Sequence, residues 1–158
     1  MAFRIGGLVE ICSKEEGFVG SYYSAEIIFT AEKTHFLVEY KNLLAQDGKR
    51  LLREIVRADE VRPYPPAIQV SKLGLFDRVD AYDKDGWWVG RITRRNKSRY
   101  HVYFESTGEE IAYSVSQLRV HQEWKNGKWT DCLVVANLFL ICYHFSQAPE
   151  IALVPQQR

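Results

Sequence analysis

Rings and carboxylates are the side chains here that could do selective chemistry. Tyr82 ends one apolar segment, Trp88 opens the next and Phe104 ends a third. Thr107 follows in a turn, and Asp83, Asp85, Glu105 and Glu109 lie in the flanking turns. The face of an aromatic ring attracts a cation through its quadrupole, and a neighbouring carboxylate adds Coulomb attraction. A methylated ammonium carries charge but few or no hydrogen-bond donors, so ring faces suit it better than acceptors do.

Other chemistries find less support. Carboxylates beside tryptophans could serve general acid–base work on a sugar. The chain nevertheless shows no nucleophile–base constellation and no phosphate-binding loop. His101 and His121 have no obvious partner, and His121 belongs to the closing segment Leu118-Arg119-Val120-His121, where a structural role is expected. Cys12, Cys132 and Cys142 are too few and too scattered for a disulfide framework or a zinc site, and the four histidines add no ligand-spaced pair. The expectation is a chain without catalytic residues, metal, cofactor or small-molecule substrate.

The element that must position Trp88 is Asp85-Gly86-Trp87-Trp88-Val89-Gly90-Arg91-Ile92, an Asp-Gly turn signal running into a strand. Alternation puts Trp88, Gly90 and Ile92 on one face and Trp87, Val89 and Arg91 on the other. Gly90 would leave open space beside the Trp88 indole, as in a wall offered to a ligand. Burial of both tryptophans as core anchors is the competing reading.

The pattern occurs twice. Leu8–Cys12 corresponds to Arg78–Tyr82, Tyr22–Ile27 to Trp87–Ile92, and Phe36–Tyr40 to Tyr100–Phe104. Arg53-Glu54-Ile55 corresponds to Glu109-Glu110-Ile111, and Val61-Arg62-Pro63 to Leu118-Arg119-Val120. A duplication of this length sets the architecture. Each copy holds five short strands, which fits a small, strongly bent barrel that avoids exposed edges by closing. Pro63, Pro65 and Pro66 interrupt regular pairing and begin a linker reaching Lys72. The expected division is residues 1–66, residues 67–130 and a C-terminal extension at 131–158.

These residues carry a resemblance. Val9-Glu10, Glu16-Gly17-Phe18-Val19-Gly20-Ser21-Tyr22-Tyr23-Ser24-Ala25, Val38-Glu39-Tyr40, Leu43-Leu44 and Val61-Arg62-Pro63 resemble the plant Agenet domain. Val79-Asp80-Ala81-Tyr82, Asp85–Gly90, Tyr100–Phe104, Leu118-Arg119, His121 and Trp124 look like its partner copy. The whole, from about Gly7 to Trp129, resembles a tandem Agenet module of the Tudor-like Royal group. That resemblance implies an all-β pair of Tudor-like (SH3-like) barrels and a nuclear, non-catalytic chromatin reader. Its partner would be a histone tail, with methylated lysine in an aromatic cage, in transcriptional regulation or silencing.

By the same resemblance Tyr82, Trp88, Phe104 and Thr107 fall on the cage positions. Asp83, Asp85, Glu105 and Glu109 are the supporting acids. In the first copy Tyr23 and Tyr40 occupy matching positions, but Ser13 stands in the neighbourhood of Tyr82, so a complete cage there would need Phe18 to swing in. Phe18, Tyr23, Tyr40 and Glu16 are the expected peptide contacts of that copy. Glu10, Glu15 and Glu39 are further candidates for basic peptide residues, against the reading of a solvated acidic face.

Charge limits the other partners. The net charge is +1 over 158 residues, so bulk electrostatics favour neither nucleic acid nor an acidic membrane. Arg94, Arg95, Lys97 and Arg99 nonetheless form a local basic hairpin, readable as a solvated tip or as contacts to RNA or DNA. No secretory or transit peptide is visible at the N-terminus, so an intracellular, reduced chain is expected. The apolar run from Cys132 to Phe145 is too short for a spanning helix and fits a buried strand or a buried helix.

Overall fold

The alternation of apolar residues produces the strands it implies. The computed structural model describes residues 3–32, 34–69 and 73–131. The apolar run at 132–145, with Cys132 and Cys142, lies outside the described residues, as does the extension assigned to 131–158 apart from Asp131. The first copy contains β1 (Leu8–Ile11), β2 (Ser21–Ala31), β3 (His35–Leu44), β4 (Leu51–Arg57) and β5 (Val61–Pro63). The second contains β6 (Arg78–Asp83), β7 (Gly86–Arg95), β8 (Tyr100–Phe104), β9 (Glu109–Tyr113) and β10 (Leu118–Val120). A single turn of 3-10 helix precedes the last strand of each.

Both copies pair in the same order, β4-β3-β2-β1-β5 and β9-β8-β7-β6-β10, all antiparallel. The register shifts at corresponding places, between Ile27 and Phe29 in β2 and between Ile92 and Arg94 in β7. A bulge of this kind sharpens the local bend and twist, which curls a short sheet over its own core. The turns that enter the copies also match. Gly6 N donates to Ile27 O at 2.8 Å, and Phe76 N donates to Ile92 O at 2.8 Å.

Each copy has its own core. Val9, Ile11, Tyr23, Ala25, Ile27, Phe36, Val38 and Tyr40 fill the first, and Val79, Ala81, Ile92, Tyr100, Val102, Phe104 and Tyr113 fill the second. Trp88 packs against both. The space expected beside Gly90 is occupied. A Cβ there would stand 2.4 Å from Val102 Cγ1 and 2.9 Å from Tyr103 O, so Gly90 serves the close approach of β8 rather than a ligand.

The two copies join edge to edge. β2 pairs antiparallel with β7 through Ser21–Trp88 and Tyr22–Trp87, making one continuous ten-stranded sheet. After β10 a hairpin of β11 (Gln122–Lys125) and β12 (Lys128–Asp131) packs Trp124 against Trp129, tilted, at 5.2 Å. Strand pairing fixes how the barrels sit, reinforced by buried charge.

Candidate functional site

The short β2–β7 ribbon has two faces, because residues directly opposite one another share a side. Tyr23 and Trp88 project to one face, whereas Tyr22 and Trp87 project to the other.

On the first face the rings of both copies meet. Tyr23 stands edge-on to Trp88 at 6.2 Å and to Tyr40 at 6.4 Å. Phe18 closes the group, 6.3 Å from Tyr23 and 6.4 Å from Trp88. Hydrogen bonds hold Trp88, Tyr40 and the turn of Phe18. Trp88 Nε1 donates to Asp83 O at 2.9 Å, and Tyr40 Oη donates to Glu54 Oε2 at 2.6 Å. Ser21 donates twice to Phe18 O, from its amide at 3.0 Å and its hydroxyl at 2.6 Å, which pins the turn that presents Phe18. Gly86 lets the second copy approach. A Cβ at this position would stand 2.8 Å from Tyr23 Cε1, so the Asp-Gly turn accommodates a ring of the opposite barrel.

The cluster is graded from buried to open. Tyr40 is 5% exposed and Tyr23 7%, whereas Phe18 is 44% exposed. Its electrostatics are negative. Burial raises the Tyr23 hydroxyl pKa, and the Asp85 carboxylate raises it further. Burial likewise raises Tyr40, followed by the Glu54 hydrogen bond and charge and by Glu60 and Glu15. Carboxylates that discourage a second negative charge at these rings would favour an arriving positive one.

The register separates residues expected to share a cage. Tyr82 is the Cα partner of Trp87 and Ala81 that of Trp88, so Tyr82 and Trp88 point to opposite faces. Tyr82 stacks edge-on with Trp87 at 5.1 Å, and its hydroxyl accepts from Asn42 Nδ2 at 3.0 Å. Phe104 is buried, edge-on to Tyr113 at 6.1 Å. Thr107 is exposed in the β8–β9 turn, its hydroxyl accepting from Glu109 N at 3.4 Å.

The supporting acids disperse too. Asp83 accepts from Tyr113 Oη at 2.9 Å, Glu105 pairs with Arg91 at 3.3 Å, and Glu109 lies opposite Phe104 in the β8–β9 ladder. Of the four, Asp85 is the one whose charge acts on Tyr23. Glu16 is exposed in the same turn as Phe18. Phe18, Tyr23 and Tyr40, expected as contacts of the first copy, are gathered together, and Trp88 of the second copy joins them.

The opposite face carries a buried charge network that the sequence reading did not anticipate. Glu10, read as a peptide contact, is 0% exposed, and Asp80, at the matching position of the second copy, is 1% exposed. Arg62 Nε and Nη2 donate to Glu10 Oε2 at 2.9 and 2.7 Å. Arg119 Nη1 donates to Glu10 Oε1 at 2.6 Å, and its Nε donates to Asp80 Oδ2 at 2.8 Å. His121 Nδ1 lies 2.6 Å from Asp80 Oδ1.

Each guanidinium is also stacked. Arg62 lies over Tyr22 at 3.2 Å and Arg119 over Trp87 at 4.3 Å, with Trp129 5.3 Å from Arg62. Burial alone would lower the Arg119 pKa, but Glu10 and Asp80 hold it above its ordinary value. Burial pushes Tyr22 up to about 12, although Arg62 pulls it down. The rings of this face are thus filled by the protein's own cations. A sequence signal existed: an acid between apolar neighbours in the first strand of both copies, and an arginine in the fifth strand of both.

Among the described residues no His, Cys, Asp and Glu side chains group so as to hold a metal ion, and no helix is long and apolar enough to cross a membrane.

Comparison with known proteins agrees with this architecture. The Agenet domain family model matches residues 6–66 and 77–123. Protein AGENET DOMAIN (AGD)-CONTAINING P1 of Arabidopsis thaliana is 46% identical over 130 residues, which cover 81% of this chain and 25% of that protein. DUF724 domain-containing protein 3 of the same plant is 34% identical over 129 residues, covering 77% of this chain and 19% of that protein. The chain therefore corresponds to a quarter or less of each of these relatives.

Among solved structures, Arabidopsis thaliana AGDP1 AGD34 superposes with a TM-score of 0.78 at 32% identity, covering 82% of this chain and 89% of that one. ADCP1 tandem Agenet domain 3-4 superposes with a TM-score of 0.74 at 28% identity, covering 82% and 87%. Two matched segments, two barrels of one topology and two tandem neighbours lead to one assignment: the chain belongs to the Agenet domain family and carries two Agenet domains in tandem, in a non-enzymatic fold family of protein- and peptide-binding modules.

Proposed function

We propose that this tandem Agenet pair is a nuclear chromatin reader that binds a basic histone tail through a methylated lysine and contributes to transcriptional regulation or silencing. The observation that carries the reading is the Phe18–Tyr23–Trp88 cluster, backed by Tyr40 and lying in the field of Asp85, Glu15 and Glu54. Rings from three segments with carboxylates behind them match a donor-poor cation in shape and in charge. Phe18, the open wall, would close on the ligand, and Glu16 of the same turn would meet a further basic residue of the peptide. On this reading Trp88 is a wall shared by both barrels.

The test is titration of the protein with histone-tail peptides carrying unmodified or dimethylated lysine, alongside Phe18→Ala. Phe18 is half-exposed, so its removal tests the site with little effect on the core. Preference for the methylated peptide, weakened in the variant by about 1 kcal/mol or roughly fivefold, is the expected result. Equal affinity for both peptides would overturn the methyl-lysine reading and leave a charge-driven peptide module.

A further inference from the structure

The β7–β8 hairpin differs from its counterpart in the first copy in the charge of its tip. Its tip runs Arg94-Arg95-Asn96-Lys97-Ser98-Arg99, whereas the β2–β3 tip runs Ala31-Glu32-Lys33-Thr34. Backbone bonds between Asn96 and Arg99 close the tip, with Asn96 N donating to Arg99 O at 2.8 Å, and all six of its side chains are exposed.

One of the four cations is neutralised. Arg94 Nη2 donates to Glu110 Oε1 at 2.6 Å and lies 3.2 Å from His101 Nδ1. Arg95, Lys97 and Arg99 have no carboxylate partner among the described residues. Two of these three are held in place by neutral groups. Arg95 stacks on Tyr100 at 5.3 Å, and Arg99 Nη1 donates to Ala112 O at 3.3 Å. Three uncompensated charges on a short turn repel one another and lower stability unless an anion shares them.

The chemistry of the neighbours selects the anion. Single-stranded nucleic acid is held by stacking its bases on free aromatic faces. Here Tyr100 is buried beneath Arg95, and His101 is half-buried, facing Arg94 and Asn96. Charge without a free stacking ring at the tip fits the closely spaced phosphates of a duplex. The tip also stands clear of the aromatic cluster: six residues of β7 separate Trp88 from Arg95, roughly 20 Å of strand.

We infer that Arg95, Lys97 and Arg99 form a second binding site, one that docks the β7–β8 hairpin on the phosphate backbone of double-stranded DNA without reading its sequence. The site needs no peptide in the aromatic cluster, so it stands or falls separately from the proposed reader function. Three phosphate contacts place it in the weak, salt-sensitive class, with the logarithm of affinity falling against the logarithm of salt at a slope of about −2.7.

The experiment is fluorescence anisotropy of the full chain with a labelled mixed-sequence DNA duplex and with one of its separated strands, across a salt series. Arg95→Gln/Lys97→Gln/Arg99→Gln is compared with Lys97→Glu, which alters the exposed tip alone, and the thermal midpoint of each is measured. Expected are duplex binding that fades at the stated slope, at least a tenfold loss in the triple variant, a severalfold loss in Lys97→Glu, and unchanged histone-peptide affinity in both. Absence of duplex binding at low salt would overturn the inference, as would duplex binding that both folded variants retain. Tighter binding of the single strand would overturn the duplex assignment, and a parallel loss of peptide affinity would return the hairpin to the peptide site.

Discussion

The two faces of the β2–β7 ribbon are made of the same materials and end in opposite states. Each combines aromatic rings with carboxylates. On the Tyr22–Trp87 face the rings are covered by Arg62, which is buried, and Arg119, which is partly buried, and their charges are matched by buried Glu10 and Asp80. On the Tyr23–Trp88 face the rings and acids are present, but no arginine or lysine of the described chain stacks on them. The cation that completes one face comes from within, and the proposed ligand supplies it on the other. A cation–π contact inside a fold and a cage for a ligand are thus one motif, distinguished by whether the sequence provides the positive partner.

The largest way to break this contrast is to unbalance the filled face. Glu10→Ala leaves Arg62 and Arg119 buried with Asp80 as their remaining carboxylate. Loss of one partner from a buried ion network costs about 3–5 kcal/mol, so chemical denaturation is expected to show a large fall in stability, and peptide affinity should fall with it as the barrels lose their fixed relation.

The next largest effect acts on the open face. Gly86→Ala drives a methyl group into the Tyr23 ring, and overpacking of this kind costs about 1–3 kcal/mol. Here peptide binding should suffer more than the thermal midpoint, because the displaced ring is itself a wall of the proposed site. A variant that binds peptide normally would show that Tyr23 is scaffold rather than wall.

The smallest effect sharpens the comparison through pH. Tyr22, Tyr40 and Tyr113 all have hydroxyl pKa values raised above 10.0, chiefly by burial. Their contribution to stability is fully present below the unfolded value near 10 and is lost as pH rises beyond it, since the unfolded chain then releases protons that the folded chain retains. Thermal midpoints should hold up to about pH 10 and then fall. In Tyr40→Phe the alkaline fall should be shallower, while Glu54 loses its donor and the midpoint at neutral pH drops by about 1 kcal/mol equivalent.

Much of this architecture was legible in the chain. Tyr23, Ala25 and Ile27, then Phe36, Val38 and Tyr40, then Tyr100, Val102 and Phe104 alternate in phase, and all are buried. Period-two alternation reports which side of a strand is wet, and the duplication reports how often the unit recurs. Neither reports which strand edges meet. Trp88 looked like a residue of the second barrel alone, because its contacts with Phe18 and Tyr23 depend on the β2–β7 pairing, which no local pattern encodes. Glu10 looked like a surface contact for a peptide for the same reason: its strand is covered on the outer face by the other copy. Gly90 looked like room for a ligand, whereas the space belongs to β8.

One consequence of the β2–β7 pairing concerns inheritance. The aromatic face takes Phe18, Tyr23 and Tyr40 from one repeat and Trp88 from the next, and the charge network interleaves the two in the same way. A single repeat copied elsewhere in a genome would arrive with an incomplete pocket and with its acid–arginine pair uncovered. The pair, and not the repeat, is then the smallest unit that can be duplicated, swapped between proteins or strung into longer arrays without losing its chemistry.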